Sequence, residues 1–165
     1  MTPAGAIAVP ALAAMPQEYY TLGPVAINGS LVAGVTDWSL DLGVKTHVEQ
    51  SDGEPYPSWC GIESHEPVLT VNTRYLASWA TTGVGGLALS SLVFYLRKKA
   101  LDSAGCAANG SAVHVKFTAA KGVAYVEQNT AGADGPAGCG LRIHLRKAAV
   151  GDTHPIAVNT ASAIT

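Results

Sequence analysis

The side chains able to do chemistry are few and scattered. Five histidines, His47, His65, His114, His144 and His154, stand far apart in the chain. Their nearest acidic neighbours form His65-Glu66 and Asp152-Thr153-His154, and neither has metal-ligand spacing such as HExxH. His114 and His144 fall on the polar faces of two expected strands, where solvent or a cross-strand partner would satisfy them. No GxSxG elbow is present, and the glycines at 83, 85 and 86 lack the strand–GxGxxG–helix setting and the Lys-Ser/Thr of a phosphate loop. Asp37 and Asp41 are four residues apart on one face of an expected strand. Two carboxylates so placed suit acid–base work only if an apolar pocket raises one pKa, and nothing apolar flanks their face. They read as a solvated acidic strip. Cys60, Cys106 and Cys139 are odd in number, widely spaced and without a CxxC, so neither a disulfide framework nor a zinc site is indicated. Buried free thiols in a reducing compartment are expected. No catalytic residue, metal or cofactor is assigned, and the chain is read as a non-enzyme.

In residues 37–49, DWSLDLGVKTHVE, the even positions Trp38, Leu40, Leu42, Val44, Thr46 and Val48 are apolar or small, and the odd ones are polar or Gly. Period two marks a half-buried strand. Thirteen residues is about twice the usual strand length, so this strand is expected to outrun its own sheet and to seek pairing from another chain. Asn28-Gly29 between apolar runs signals a hairpin. Residues 50–61, QSDGEPYPSWCG, read as a loop whose rings, Tyr56 and Trp59, either fold back onto the core or dock on a partner. Asn72 or Thr73 is placed to cap a short helix over 74–80. Further strands are expected at 91–98, 111–118, 123–128, 141–147 and 155–159, with a Gly-rich loop over 129–140. The basic run Arg97, Lys98 and Lys99 closes the first of these. The sum is a mainly-β domain, a β-sandwich or small barrel with one short flanking helix, over residues 24–165. Residues 1–23, with Pro3, Pro10 and Pro16, read as an extended N-terminal arm without the charged start of a secretory signal.

Composition supports assembly. Charged residues are 13 % of the 165, against about 25 % in typical soluble domains, which suggests either much weakly solvated surface buried against other subunits or a stable Ala/Gly-rich monomer. Residues 1–90 carry a net −6 and residues 91–165 a net +4, which suits head-to-tail association or pairing within one fold. No apolar run approaches the length of a membrane helix, about 20 residues, and no membrane span is expected.

The order of features has a familiar look: an Asn-Gly hairpin, the strand DWSLDLGVKTHVEQ, a loop with SDGEPYP, EPVLTVNT, the short helix RYLASWA, HVKFTAAKG and a Gly-rich late loop. This order resembles the tail tube (major tail) proteins of long-tailed bacteriophages, over roughly residues 24–118. The resemblance implies a virion protein of the phage tail, assembled in the host cytoplasm. Its subunits form β-sandwiches, six to a ring, and the rings stack into a tube through which DNA passes without sticking to an acidic lumen. On this chain it makes Asp37, Ser39, Asp41 and Glu49 the lumen-facing candidates, with Lys45 and His47 departing from a purely acidic face. It makes Asp52, Glu54, Tyr56, Trp59, Arg97, Lys98 and Lys99 candidates for contact between subunits, the loops 50–61 and 129–140 and the arm 1–23 being the segments that would bridge rings. The implied partners are copies of the chain itself and other phage tail proteins. Alternatives are a connector, baseplate or capsid decoration protein, or a carbohydrate-binding sandwich whose aromatic platform would be Tyr56, Trp59 and Trp79.

Overall fold

A computed structural model describes residues 19–50, 53, 56–75, 86–99, 105–130, 138–152 and 154–165. In chain order its strands begin with β1 (Tyr20–Ile27), β2 (Ser30–Leu31), β3 (Val35–Asp41) and β4 (Val44–Glu49). Next come β5 (Trp59–His65), β6 (Val68–Thr73), β7 (Leu87–Leu89) and β8 (Leu92–Lys98). The last are β9 (His114–Ala119), β10 (Lys121–Thr130), β11 (Gly138–Arg146) and β12 (Ala157–Ser162). All strand pairings among the described residues are antiparallel. One five-stranded sheet has the order β12-β9-β8-β1-β2, a second has the order β3-β6-β11-β10-β7, and β4-β5 form a separate two-stranded ribbon.

The two large sheets face each other as a sandwich. Val25, Ile27, Leu92 and Phe94 from the first meet Leu69, Val71, Leu141 and Ile143 from the second, all buried. The aromatic centre is a stack of Phe94 on Phe117, centroids 4.7 Å apart, with Trp38 set edge-on to both at 5.0 and 6.1 Å. Such offset and edge-on pairs add to the gain from area burial. Asn28 (φ 51°) and Gly29 (φ 81°) form the expected left-handed turn. Asn28 Oδ1 also accepts from Ser90 N at 2.8 Å and Ser91 N at 3.2 Å, fastening this hairpin to the tight link where the chain passes from one sheet to the other.

The thirteen-residue strand is the main correction. It breaks at Leu42-Gly43: β3 joins the second sheet as its edge, and β4 leaves it to pair with β5. The cause is local. Gly43 takes φ 55°, and its amide donates to the Asp41 side chain, Oδ1, at 2.9 Å, so a side chain takes the donor that a ladder would use. The opposite strand breaks at the same level, where Pro67 has no amide to give. Beyond the break the ribbon finds its partner within its own chain, so the expected need for a second chain along the whole overhang does not hold for this pairing.

Gly43 is the pivot of that break. A Cβ there would run into the Glu66 carbonyl oxygen, and Glu66 N already donates to Gly43 O at 3.2 Å. Gly43→Ala adds that clash to a left-handed φ. It is expected to cost about 1–3 kcal/mol, read as a lower urea midpoint with unchanged slope. A change inside ±0.3 kcal/mol, of order half the usual surface effect, would contradict the pivot.

The segment 91–98 is a strand, β8. β1 starts at Tyr20, so the last residues of the expected arm belong to the sheet, and residues 1–18 lie outside the described residues. Arg74 and Tyr75 are not helical, residues 76–80 lie outside the described residues, and no helix occurs among those that are described. The loop 50–61 is shorter than expected because Trp59 opens β5. The loop 129–140 is shortened at both ends by β10 and β11, and residues 131–137 lie outside the described residues. The final edge strand runs later than expected, over Ala157–Ser162.

Candidate functional site

The titratable groups gather at one place, where His65, Glu66, His144, Arg146 and Lys147 line a cavity of about 600 Å³ at the ribbon root; the others are dispersed. His114, expected on a polar face, is fully buried. Its Nδ1 accepts from Lys98 N at 3.1 Å and its Nε2 faces Ala108 O at 2.9 Å, so Nε2 carries the proton. Both ring nitrogens are used structurally, which is why burial is tolerated. His144 lies in the other sheet beside Tyr125, centroids 5.9 Å apart, and does not meet His114. His65 and His154 contact edge-on at 6.2 Å. Asp152 spends its carboxylate on Ala149 N at 2.8 Å. Among the described residues no group of three His, Cys, Asp or Glu could hold a metal.

The thiols depart from expectation. All three are free, but Cys60 and Cys106 are exposed and only Cys139 is buried. Cys60 lies on the ribbon, which has no core to enter, and Cys106 on a loop bridge to Lys99. Burial pushes the Cys139 thiol above its usual range. A colorimetric thiol reagent at pH 8 is therefore expected to titrate two thiols quickly and the third only after denaturant. Three fast thiols would contradict the burial.

The lumen candidates separate into two places. Asp37, Ser39 and Asp41 point outward from β3 while Trp38 and Leu40 turn to the core. Asp37 Oδ1 accepts from Asn72 Nδ2 at 2.8 Å. Glu49 ends β4 on the ribbon, beyond the break, and does not share their sheet. On the same outer face Thr70 stands opposite Ser39, and Arg142 opposite Thr70, so the unpaired acids run along its β3 edge. Arg142 is itself paired with Glu127 at 3.0 Å.

The contact candidates also divide. Asp52 and Glu54 lie outside the described residues. Tyr56 (77 % exposed) and Trp59 (53 %) stand at the ribbon's outer end, with the His47 ring 5.7 Å from Trp59. Arg97 and Lys98 are half-buried and Lys99 is exposed, at the far end of β8. Arg97 Nη2 donates to Asn109 Oδ1 at 2.8 Å. The ribbon root and this basic run lie at opposite ends of the sandwich. The row Asp41, Val68, His144, Val123, Ala88 crosses the second sheet at the root, and β8 starts just past Ala88 and runs away for seven residues, a length of about 20 Å.

The ribbon itself has two faces. Val44, Thr46 and Val48 align with Cys60 and Ile62 on one, and Lys45, His47 and Glu49 with Glu63 and Trp59 on the other. Lys45 and Glu63 form an exposed ion pair at 3.7 Å. Every residue of β4 is exposed, Val48 to 53 % and Ile62 of β5 to 63 %. The apolar face thus has the composition of a strand that packs on a core, with no core beneath it.

A second charged feature escaped the sequence reading. Lys121 stands directly opposite Arg146 in the β10–β11 hairpin, and Lys147 follows. Like charges so placed repel, and among the described residues no carboxylate lies within ion-pair distance of any of the three. The signal was the hairpin register about the Gly-rich loop, which brings these two distant positions together. Compared with known proteins, the chain matches no family model and no curated sequence.

Proposed function

We propose that this chain is a structural, non-enzymatic subunit that assembles with copies of itself into rings, and that the rings stack into the tube of a phage tail through which DNA passes. The observation that carries self-assembly is the β4–β5 ribbon, which leaves the sandwich with Val44, Val48 and Ile62 uncovered. Three such side chains on one narrow face, each about half exposed, are worth about 1 kcal/mol apiece once the rest of their surface is buried. A partner supplies that burial. The tube itself rests on the resemblance of the ordered features to tail tube proteins. The opposed placement of the ribbon and the Arg97–Lys99 run adds support, because it gives a subunit two unlike ends for stacking. Asp37 and Asp41 on the exposed face of β3 are suited to repel phosphate at close range.

A carbohydrate-binding sandwich is the second reading, and exposed Tyr56 and Trp59 are the observation in its favour. Sedimentation velocity over a concentration series separates the two. Assembly predicts species that grow with concentration and large particles at the top of the series. A single monomeric boundary throughout, with glycan binding lost in Trp59→Ala, would replace the first reading by the second.

A further inference from the structure

We propose that the cavity at the ribbon root binds the phosphate group of a small phosphate monoester, a site contained within one chain and independent of the assembly reading above. Three observations define it. First, position: His65 closes β5, and Glu66 and Pro67 lead from it into β6. His144 and Arg146 flank buried Leu145 on β11, so both turn outward from the sandwich, with Lys147 just beyond. Leu145 N donates to Pro67 O at 3.0 Å, which ties the two walls together, and Tyr125 of β10 sets its ring beside His144 at 5.9 Å. The space these residues line is about 600 Å³, inside the usual range of about 300–1,000 Å³ for a small-ligand site and more than a bare phosphate ion fills. Paired strands and a proline carry the lining groups, which are therefore held in place before a ligand arrives.

Second, charge: Arg146 and Lys147 line the cavity, and Lys121 stands directly opposite Arg146. Glu66 is the one carboxylate of the lining, so three cations against one acid leave a net +2, the complement of a phosphate monoester dianion. Among the described residues none of the three cations has a carboxylate within ion-pair distance. The other charges of this face are spent: Arg142 on Glu127 at 3.0 Å, and Asp41, two strands from His144, on Gly43 N at 2.9 Å. A guanidinium fork fits two phosphate oxygens and an ammonium adds a point charge. A bound dianion also relieves the repulsion between Lys121 and Arg146.

Third, uncommitted polar atoms: His65 Nε2 is buried with no hydrogen-bond partner among the described residues, and its ring meets His154 edge-on at 6.2 Å. A buried nitrogen without a partner carries a desolvation cost, which a ligand oxygen relieves once the ring turns to it. Glu66 is exposed at the same cavity. Its carboxylate accepts from a hydroxyl of the ester's organic part, and the Tyr125 ring gives that part a face to lie against.

The test is isothermal titration calorimetry of the full chain at neutral pH and low salt, with ribose phosphate, inorganic phosphate and ribose as probes. Ribose phosphate is expected to bind with saturable heat, inorganic phosphate more weakly, and ribose not at all. Arg146 and Lys147 are exposed, so R146Q/K147Q keeps the fold, which a matched thermal melt checks. It is expected to weaken binding of ribose phosphate by about tenfold or more. K116Q removes a cation from β9 in the other sheet and is expected to leave the affinity unchanged. An R146Q/K147Q chain that melts like the parent and binds as tightly overturns the site, and so does a K116Q chain that loses as much. A parent chain with no saturable binding of ribose phosphate overturns it as well. Inorganic phosphate bound as tightly as ribose phosphate overturns the ester as the ligand. None of these results bears on assembly, which sedimentation reads separately.

Discussion

Replacing residues 44–65 by Asn-Gly is expected to give a folded, cooperative and monomeric protein that has lost assembly altogether. The junction is already closed in the native chain, since Glu66 N donates to Gly43 O at 3.2 Å, and Asn-Gly is a two-residue link suited to two antiparallel strands. None of the core residues falls within the excised stretch. The sandwich keeps its core packing and loses the edge-on contact of His65 with His154, and its thermal midpoint is expected to stay within about 5 °C of the parent, the scale of a 1–2 kcal/mol change. Sedimentation velocity supplies the other half of the result. A shortened chain that still assembles would place the interface elsewhere, on the open edges of β3 or β12. A shortened chain that does not fold would show that the ribbon supports the sandwich, contrary to its exposure on both faces.

Phe94→Ala is the substitution expected to cost most in stability. Phe94 is fully buried, stacks on Phe117 at 4.7 Å and receives Trp38 edge-on at 5.0 Å. It thereby joins both sheets. Removing the ring takes away its transfer free energy and leaves a cavity that stiff strands on both sides resist closing. The expected loss is about 3–5 kcal/mol, a large share of the roughly 5–15 kcal/mol that holds an ordinary domain together. Urea unfolding followed by far-ultraviolet dichroism measures it. A loss below about 1 kcal/mol, the size of a surface change, would mean that the sheets do not meet through this ring. Trp38 adds a polar cost to the same centre: its Nε1 is buried with no hydrogen-bond partner among the described residues.

What could be read from the residues depended on how local its cause was. Period two placed Trp38 and Leu40 inward and Asp37, Ser39 and Asp41 outward, and Leu141, Ile143 and Leu145 inward on β11, because pleating alone decides those directions. Asn28-Gly29 gave its turn because both residues accept positive φ. The same alternation failed at Leu42-Gly43. It continues unbroken through Val44 and Val48, yet pattern records only which face a side chain takes, never whether a second layer lies over that face. The break was written in two distant residues, Gly43 and Pro67, whose effects coincide only once β3 and β6 are paired. His114 shows the limit in reverse: its parity assigned it to solvent, and two backbone groups, Lys98 N and Ala108 O, made a buried place for it. The basic cluster of Lys121 and Arg146 needed the register of a hairpin whose residues are separated by the Gly-rich stretch. The acidic set of the resemblance was split because Glu49 follows the ribbon and Asp37 and Asp41 stay with the sheet.

Negative-stain electron microscopy of the purified full-length chain at high concentration and low salt addresses the central claim most directly. The account predicts closed rings of uniform diameter and stacks of them with a continuous central channel. A field of single, ring-free particles under those conditions would contradict it.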